Sequence, residues 1–206
     1  WVASEAKKVV DSGCQLVIVA GGGNLVRGAQ VAGNGIKRVT ADQMGMLSGL
    51  INAMAMTDIF EANGVSTRCL SNIYAAQAAE NYSYRLAEKH LQSGRVLIVA
   101  GGIGRPYSTH DSAAVSLGLE LDCELVLKST KVDGVYDKDP SKHDDAVKYE
   151  NVSYQQALEN PEVKVMDKSA LGLAAEHAKK VIVYDLYEQD ALMRIVNGEH
   201  VGTLIS

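Results

Sequence analysis

Much that a sequence of this length can carry is missing here, and each gap removes a class of function. Its three cysteines, Cys14, Cys69 and Cys123, are odd in number and scattered beside apolar runs. That fits neither a disulfide framework nor a zinc site, so reduced, buried thiols are expected. No block of like charges occurs and the net charge is only −5, so nothing marks a surface for nucleic acid or anionic membrane. No apolar run approaches the length of a membrane span, and the opening WVASEAKKVV lacks the layout of a signal peptide. A cytoplasmic protein is expected. No G-x-x-x-x-G-K-[ST] occurs, and no glycine turn after a strand completes G-x-G-x-x-G, which removes the Walker-type NTPases and the dinucleotide fingerprint. Asp137, Asp139 and Ser141 begin like a calcium loop, but Lys142 stands where glycine is needed and Lys148 where the bidentate Glu belongs. His90, His110, His143, His177 and His200 show no ligand spacing, so solvated or capping roles are expected and no metal site. Low-complexity tracts and linkers are absent too. A chain of 206 residues buries roughly 70% of its unfolded surface without staples, and a single domain is expected.

What is present centres on residues 16–28, LVIVAGGGNLVRG. The apolar, β-branched run 16–20 reads as a strand buried on both faces. Gly21, Gly22 and Gly23 follow it, then Asn24 and Arg27. Glycines at the end of a strand let the backbone approach a ligand, and successive N–H groups there can converge on an anion beside the arginine fork. The pattern returns at 96–105, VLIVAGGIGR, where an expected strand over 96–100 ends in Gly101, Gly102, Ile103, Gly104 and Arg105. Two such turns at one end of one sheet imply a crevice for two anionic groups. The second leads into a helix expected to start near Asp111, whose N-terminus adds about half a positive charge.

The remaining pattern alternates. Helices are expected over 2–11, 42–63, 82–92, 111–121, 153–160, 168–179 and 188–196, strands over 65–70, 125–128, 181–184 and the terminal GTLIS, and a loop over 31–37. In the long helix Leu47, Leu50, Ile51, Met54 and Ile59 are expected on one face, and Asp42 at its start reads as a cap. Lys128 is placed at the carboxyl end of its strand, facing the crevice, with Thr130, Lys131, a turn at Asp133-Gly134, Tyr136 and Asp139 beyond it. Alternation of this kind predicts an α/β fold with a mainly parallel sheet between helix layers.

GGGNLVRG, ADQMGML, GGIGRPYSTHDSAA, LKSTKVDGVYDKDP and KVMDKSA, in that order and with those gaps, resemble the bacterial uridylate (UMP) kinases of the amino acid kinase superfamily. The likeness runs from about residue 14 to the end. It implies a three-layer αβα sandwich, transfer of the γ-phosphoryl group of ATP to UMP, magnesium, and a homohexamer with nucleotide effectors such as GTP and UTP. Gly22 and Asp42 would then contact UMP, Asp42 through the ribose hydroxyls. Ile103, Gly104, Arg105, Pro106, Tyr107, Ser108, Thr109 and His110 would hold its base and phosphate. Gly23, Arg27, Thr130, Tyr136 and Asp139 would lie on the ATP side, and Asp111, Lys128 and Asp167 around the transferring phosphoryl group, as catalytic residues. Such chemistry asks for alignment and charge neutralisation, and UMP brings its own ionised attacking oxygen. The family opens with a strand ending in K-x-S-G-E, and this chain is expected to be one domain, 1–206, without that strand. Ile103, Arg105 and His110 also depart from the usual Thr, Asn and Thr. Two alternatives share the fold: a sister kinase acting on another small acceptor, and a non-catalytic nucleotide-binding or storage protein.

Overall fold

The structure, a computed structural model, describes residues 1–33, 35–160, 163 and 166–206. Asn34 of the expected loop, and Lys164 and Val165 of the KVMDKSA motif, lie outside the described residues. Contacts divide the chain into two compact units, Trp1–Ala113 and Ala114–Ser206.

The first unit runs α1 (Val2–Asp11), β1 (Val17–Val19), α2 (Gly28–Val31), α3 (Arg38–Ala62), β2 (Thr67–Ser71), β3 (Glu80–Asn81), α4 (Tyr84–Gln92) and β4 (Val96–Ala100), and ends inside α5 (His110–Glu120). Its sheet has the order β1-β4-β2-β3, with every pair parallel. β4 is paired on both sides and buried at every residue, as its unbroken apolar run requires. β1 is only half-buried, contrary to expectation, because β4 is its one partner among the described residues and it forms the edge. The core joins Ala20, Leu50, Ala53, Phe60, Val65, Val96 and Ile98.

α3 corrects two expectations. It begins at Arg38 after Lys37, which makes no side-chain cap, so Asp42 sits a turn inside the helix and caps nothing there. Its large apolar residues also do not share one face. Leu50 is buried with Met46, Ala53 and Phe60, whereas Leu47 (52% exposed), Ile51 (58%), Met54 and Ile59 face outward.

The second unit contains β5 (Val126–Thr130), β6 (Val135–Tyr136), β7 (Lys148–Tyr149), β8 (Asn151–Val152), α6 (Tyr154–Glu159), α7 (Lys168–Glu176), β9 (Val181–Asp185), α8 (Ala191–Val196) and β10 (Thr203–Ile205). β5, β9, β10 and β8 form its four-stranded sheet, parallel except between β9 and β10, and β6 pairs antiparallel with β7. Val115, Val126, Leu171, Val181, Val183 and Ile205 fill its core. The cysteines are free but half-buried rather than sealed in either core. His90 is not a solvated histidine: it is buried, with Arg95 at 2.9 Å from Nδ1 and Glu80 at 3.4 Å from Nε2. Among the described residues no helix is long and apolar enough to cross a membrane.

Candidate active site

β1 and β4 are neighbours and parallel, with Val17 opposite Leu97 and Val19 opposite Val99. Their carboxyl ends therefore open on one rim, and the two glycine turns stand side by side there.

The first turn lies flush on α3. A side-chain carbon on Gly22 would fall 2.5 Å from the Gly49 nitrogen and from Ser48 Cβ, and 2.7 Å from the Gly45 oxygen, so only glycine fits. α3 supplies a matching row of small residues, Gly45, Ser48 and Gly49. The turn closes with Leu25 and Val26 donating to the Gly22 carbonyl, each at 3.0 Å. Asn52 of α3 donates to the Gly21 carbonyl at 2.7 Å and pairs with Asn24. Arg27, exposed, folds back so that its Nε donates to the Gly23 carbonyl at 3.2 Å.

The second turn needs glycine for its backbone. Gly101, Gly102 and Gly104 have φ of +82°, +56° and +73°, and a side chain on Gly104 would meet the Asn72 carbonyl at 2.6 Å. Asn72 holds the turn from β2 by donating to the Gly102 carbonyl at 2.5 Å. Ile103, Arg105 and Tyr107 are exposed, with Gly104, Pro106 and Ser108 half-buried between them. Thr109 caps α5: its Oγ1 accepts from the N–H groups of Asp111 (3.1 Å) and Ser112 (3.3 Å). Asp111 stands in the first turn of that helix, where it complements the dipole.

Asp42 ties the second turn to α3. One carboxylate oxygen accepts from Arg38 Nε at 2.8 Å, and the other accepts the backbone N–H of Tyr107 at 2.9 Å. Tyr107 has φ of +61°, a strained value for a side chain of its size, and Arg38 lies over its ring at 5.4 Å. A carboxylate, a guanidinium, an aromatic ring and two glycine turns thus share one rim.

In the second unit Lys128 is the third of the five residues of β5, opposite Val183, and not at the strand's carboxyl end as expected. Thr130 Oγ1 donates to the Val132 carbonyl and accepts its N–H, fixing the turn that leaves the strand. The Tyr136 hydroxyl donates to Asp133 at 2.6 Å, which raises the tyrosine's pKa, and Lys148 binds the other Asp133 oxygen at 3.0 Å. Burial pushes the Asp133 carboxyl up, but Tyr136 and Lys148 outweigh it and the net shift is down. Asp139 accepts from the Ser141 side chain and backbone and pairs with Lys142, contacts that lower its pKa to about 2. Asp167 caps α7, accepting the N–H groups of Ser169 and Ala170 at 2.9 and 3.0 Å.

The sequence does not single out Arg38, Asn52 or Asn72, and it marks Asp133 only as a turn residue. Arg38 was within reach of a sequence reading, four residues before Asp42 on a helix; the two asparagines act only through long-range contacts.

Residues 2–185 match the amino acid kinase family. The uridylate kinase of Sulfurovum sp. (strain NBC37-1) is 44% identical over 200 residues, covering 97% of this chain and 85% of that protein. The chain belongs to the amino acid kinase family, among its uridylate kinases. The uridylate kinase of Dichelobacter nodosus (strain VCS1703A) is likewise 44% identical, over 99% of this chain and 84% of that one. The crystal structure of UMP kinase from Bacillus anthracis superposes with a TM-score of 0.94 at 34% identity, covering all of this chain and 84% of its own. In amino acid kinase terms the fold is mixed α/β with mainly parallel sheets, and the enzyme class is that of the nucleoside monophosphate kinases, which are phosphotransferases.

Proposed function

We propose that this chain is a UMP kinase, transferring the γ-phosphoryl group of ATP to UMP to give UDP and ADP. The observation that carries this reading is the contact between Asp42 and the Tyr107 N–H, which joins α3 to the second glycine turn beside the first. It makes one rim from the residues expected to hold the acceptor.

On this reading Gly22 lets the acceptor lie against backbone, Asp42 takes the ribose hydroxyls, and the residues from Ile103 to His110 border the base and phosphate. Gly23 and Arg27, with Thr130, Tyr136 and Asp139 of the second unit, serve ATP. Asp111, Lys128 and Asp167 serve the transferring phosphoryl group. The chain's task is alignment and charge balance; the acceptor phosphate is already ionised, so no side chain need remove a proton. Among the described residues no group of three or more His, Cys, Asp or Glu could hold a metal ion. Magnesium, which the family likeness implies, is proposed to enter with the phosphates of ATP.

Both units are read as parts of one amino acid kinase-type domain, since the family match spans the division between them. A homohexamer is the assembly proposed, supported by the outward apolar stripe of α3. GTP and UTP as effectors, and the cytoplasm as the compartment, rest on the family likeness.

A coupled ADP assay over UMP, acetylglutamate and carbamate tests the assignment. ADP release with UMP, matched by UDP, is expected. Activity on acetylglutamate or carbamate with none on UMP would move the chain to a sister kinase; binding of UMP and ATP with no UDP would make it a nucleotide-binding protein.

A further inference from the structure

The residue that ends the acceptor loop is half-buried and turns one ring nitrogen inward. His110 opens α5, and its Nε2 is buried with no hydrogen-bond partner among the described residues. The ring meets glycine on two sides. A side-chain carbon on Gly21 would lie 3.8 Å from its Cγ and Nδ1, and one on Gly49 would lie 3.4 Å from its Nε2. The imidazole thus fills the gap between the first glycine turn, α3 and the start of α5. Asp111 is the charged neighbour on its own helix. Of the charges carried by the elements packed against it, Arg27 is turned to the Gly23 carbonyl, and Asp42 to Arg38 and Tyr107. The other charges on α3 are Arg38 itself, Asp58 and Glu61.

We infer that neutral His110 is a positioning residue that wedges the first glycine turn into its acceptor-binding shape, and that a proton on it releases the turn and weakens UMP binding. This rests on the UMP kinase reading. Protonation turns both ring nitrogens into donors, and Nε2–H would face a space that offers it no acceptor. Burial already holds the imidazole below its ordinary pKa, with Asp111 opposing only in part. The ring is therefore neutral near pH 7, and the wedge is lost as pH falls through the lowered value.

The test compares the wild-type enzyme with His110→Thr and His110→Phe, measuring KM for UMP at saturating ATP from about pH 8 to about pH 5.5. The UMP phosphate titrates identically in every assay, so the ratio of wild-type to variant KM reports the histidine alone. That ratio is expected to rise about tenfold per pH unit below the imidazole's titration, with kcat moving in parallel in all enzymes. Superimposable KM profiles would overturn the proposal. NMR titration of ligand-free wild-type protein separates it from the acceptor assignment. Gly21 and Gly23 amide shifts that follow the His110 midpoint support the wedge even if no UDP forms. A midpoint at or above about 6.5, or glycine amides that ignore it, overturns it.

Discussion

Asp42 does two things at once: its carboxylate accepts from Arg38 and from the Tyr107 backbone, and it is largely buried while doing so. Charge-assisted hydrogen bonds of this kind contribute about 1.5–3 kcal/mol each. Asp42→Asn keeps the shape and removes the charge. KM for UMP is expected to rise about 10- to 100-fold, while KM for ATP stays within about twofold, in steady-state assays varying each nucleotide in turn. A parallel rise in both would contradict the division of residues between acceptor and donor. The sequence exposed Asp42 as a candidate but misread its local role. Helix starts are recognised by Ser, Thr, Asp or Asn at the cap, and α3 starts after a lysine that provides none, so the first suitable carboxylate looked like the cap. His110 and His90 were misread for a related reason. Spacing along the chain excludes metal motifs but says nothing of which imidazole the fold will bury.

Elements fared differently according to how local their causes are. β4 was legible to the residue, because a five-residue apolar run followed by glycine has few other readings. α1 was equally clear. The two-residue strands β3, β6, β7 and β8 were not, since no period can be read in so short a run and their pairing is long-range. α3 shows how one visible pattern can divide between two faces. Its inner face is decided by small residues that admit the glycine turn, Gly45, Ser48 and Gly49, while Leu47, Ile51 and Met54, at helical spacing, form a second stripe that faces out. Exposed apolar stripes of this kind mark association surfaces. Ile51→Lys is expected to lower the assembly's mass in sedimentation or light scattering while leaving the monomer's far-UV spectrum unchanged. Unaltered mass would remove α3 from the contact between copies.

At the scale of the whole molecule, the alternation of helices and strands predicted the fold class, and the parallel ladders of both units agree with it. The edge position of β1 was beyond reach, because an apolar run reports what a strand can bury and not how many neighbours it finds. The shared rim was legible for a physical reason: in a parallel sheet every carboxyl end points the same way, so two glycine-ended strands must open together. UMP kinase activity on this reading requires both turns to border the acceptor, and amide hydrogen exchange with and without UMP tests this most directly. Protection of residues 20–28 and of residues 101–110 is predicted to appear together, with one half-saturation point. UMP that binds yet shields only one of these turns, or neither, would contradict the account.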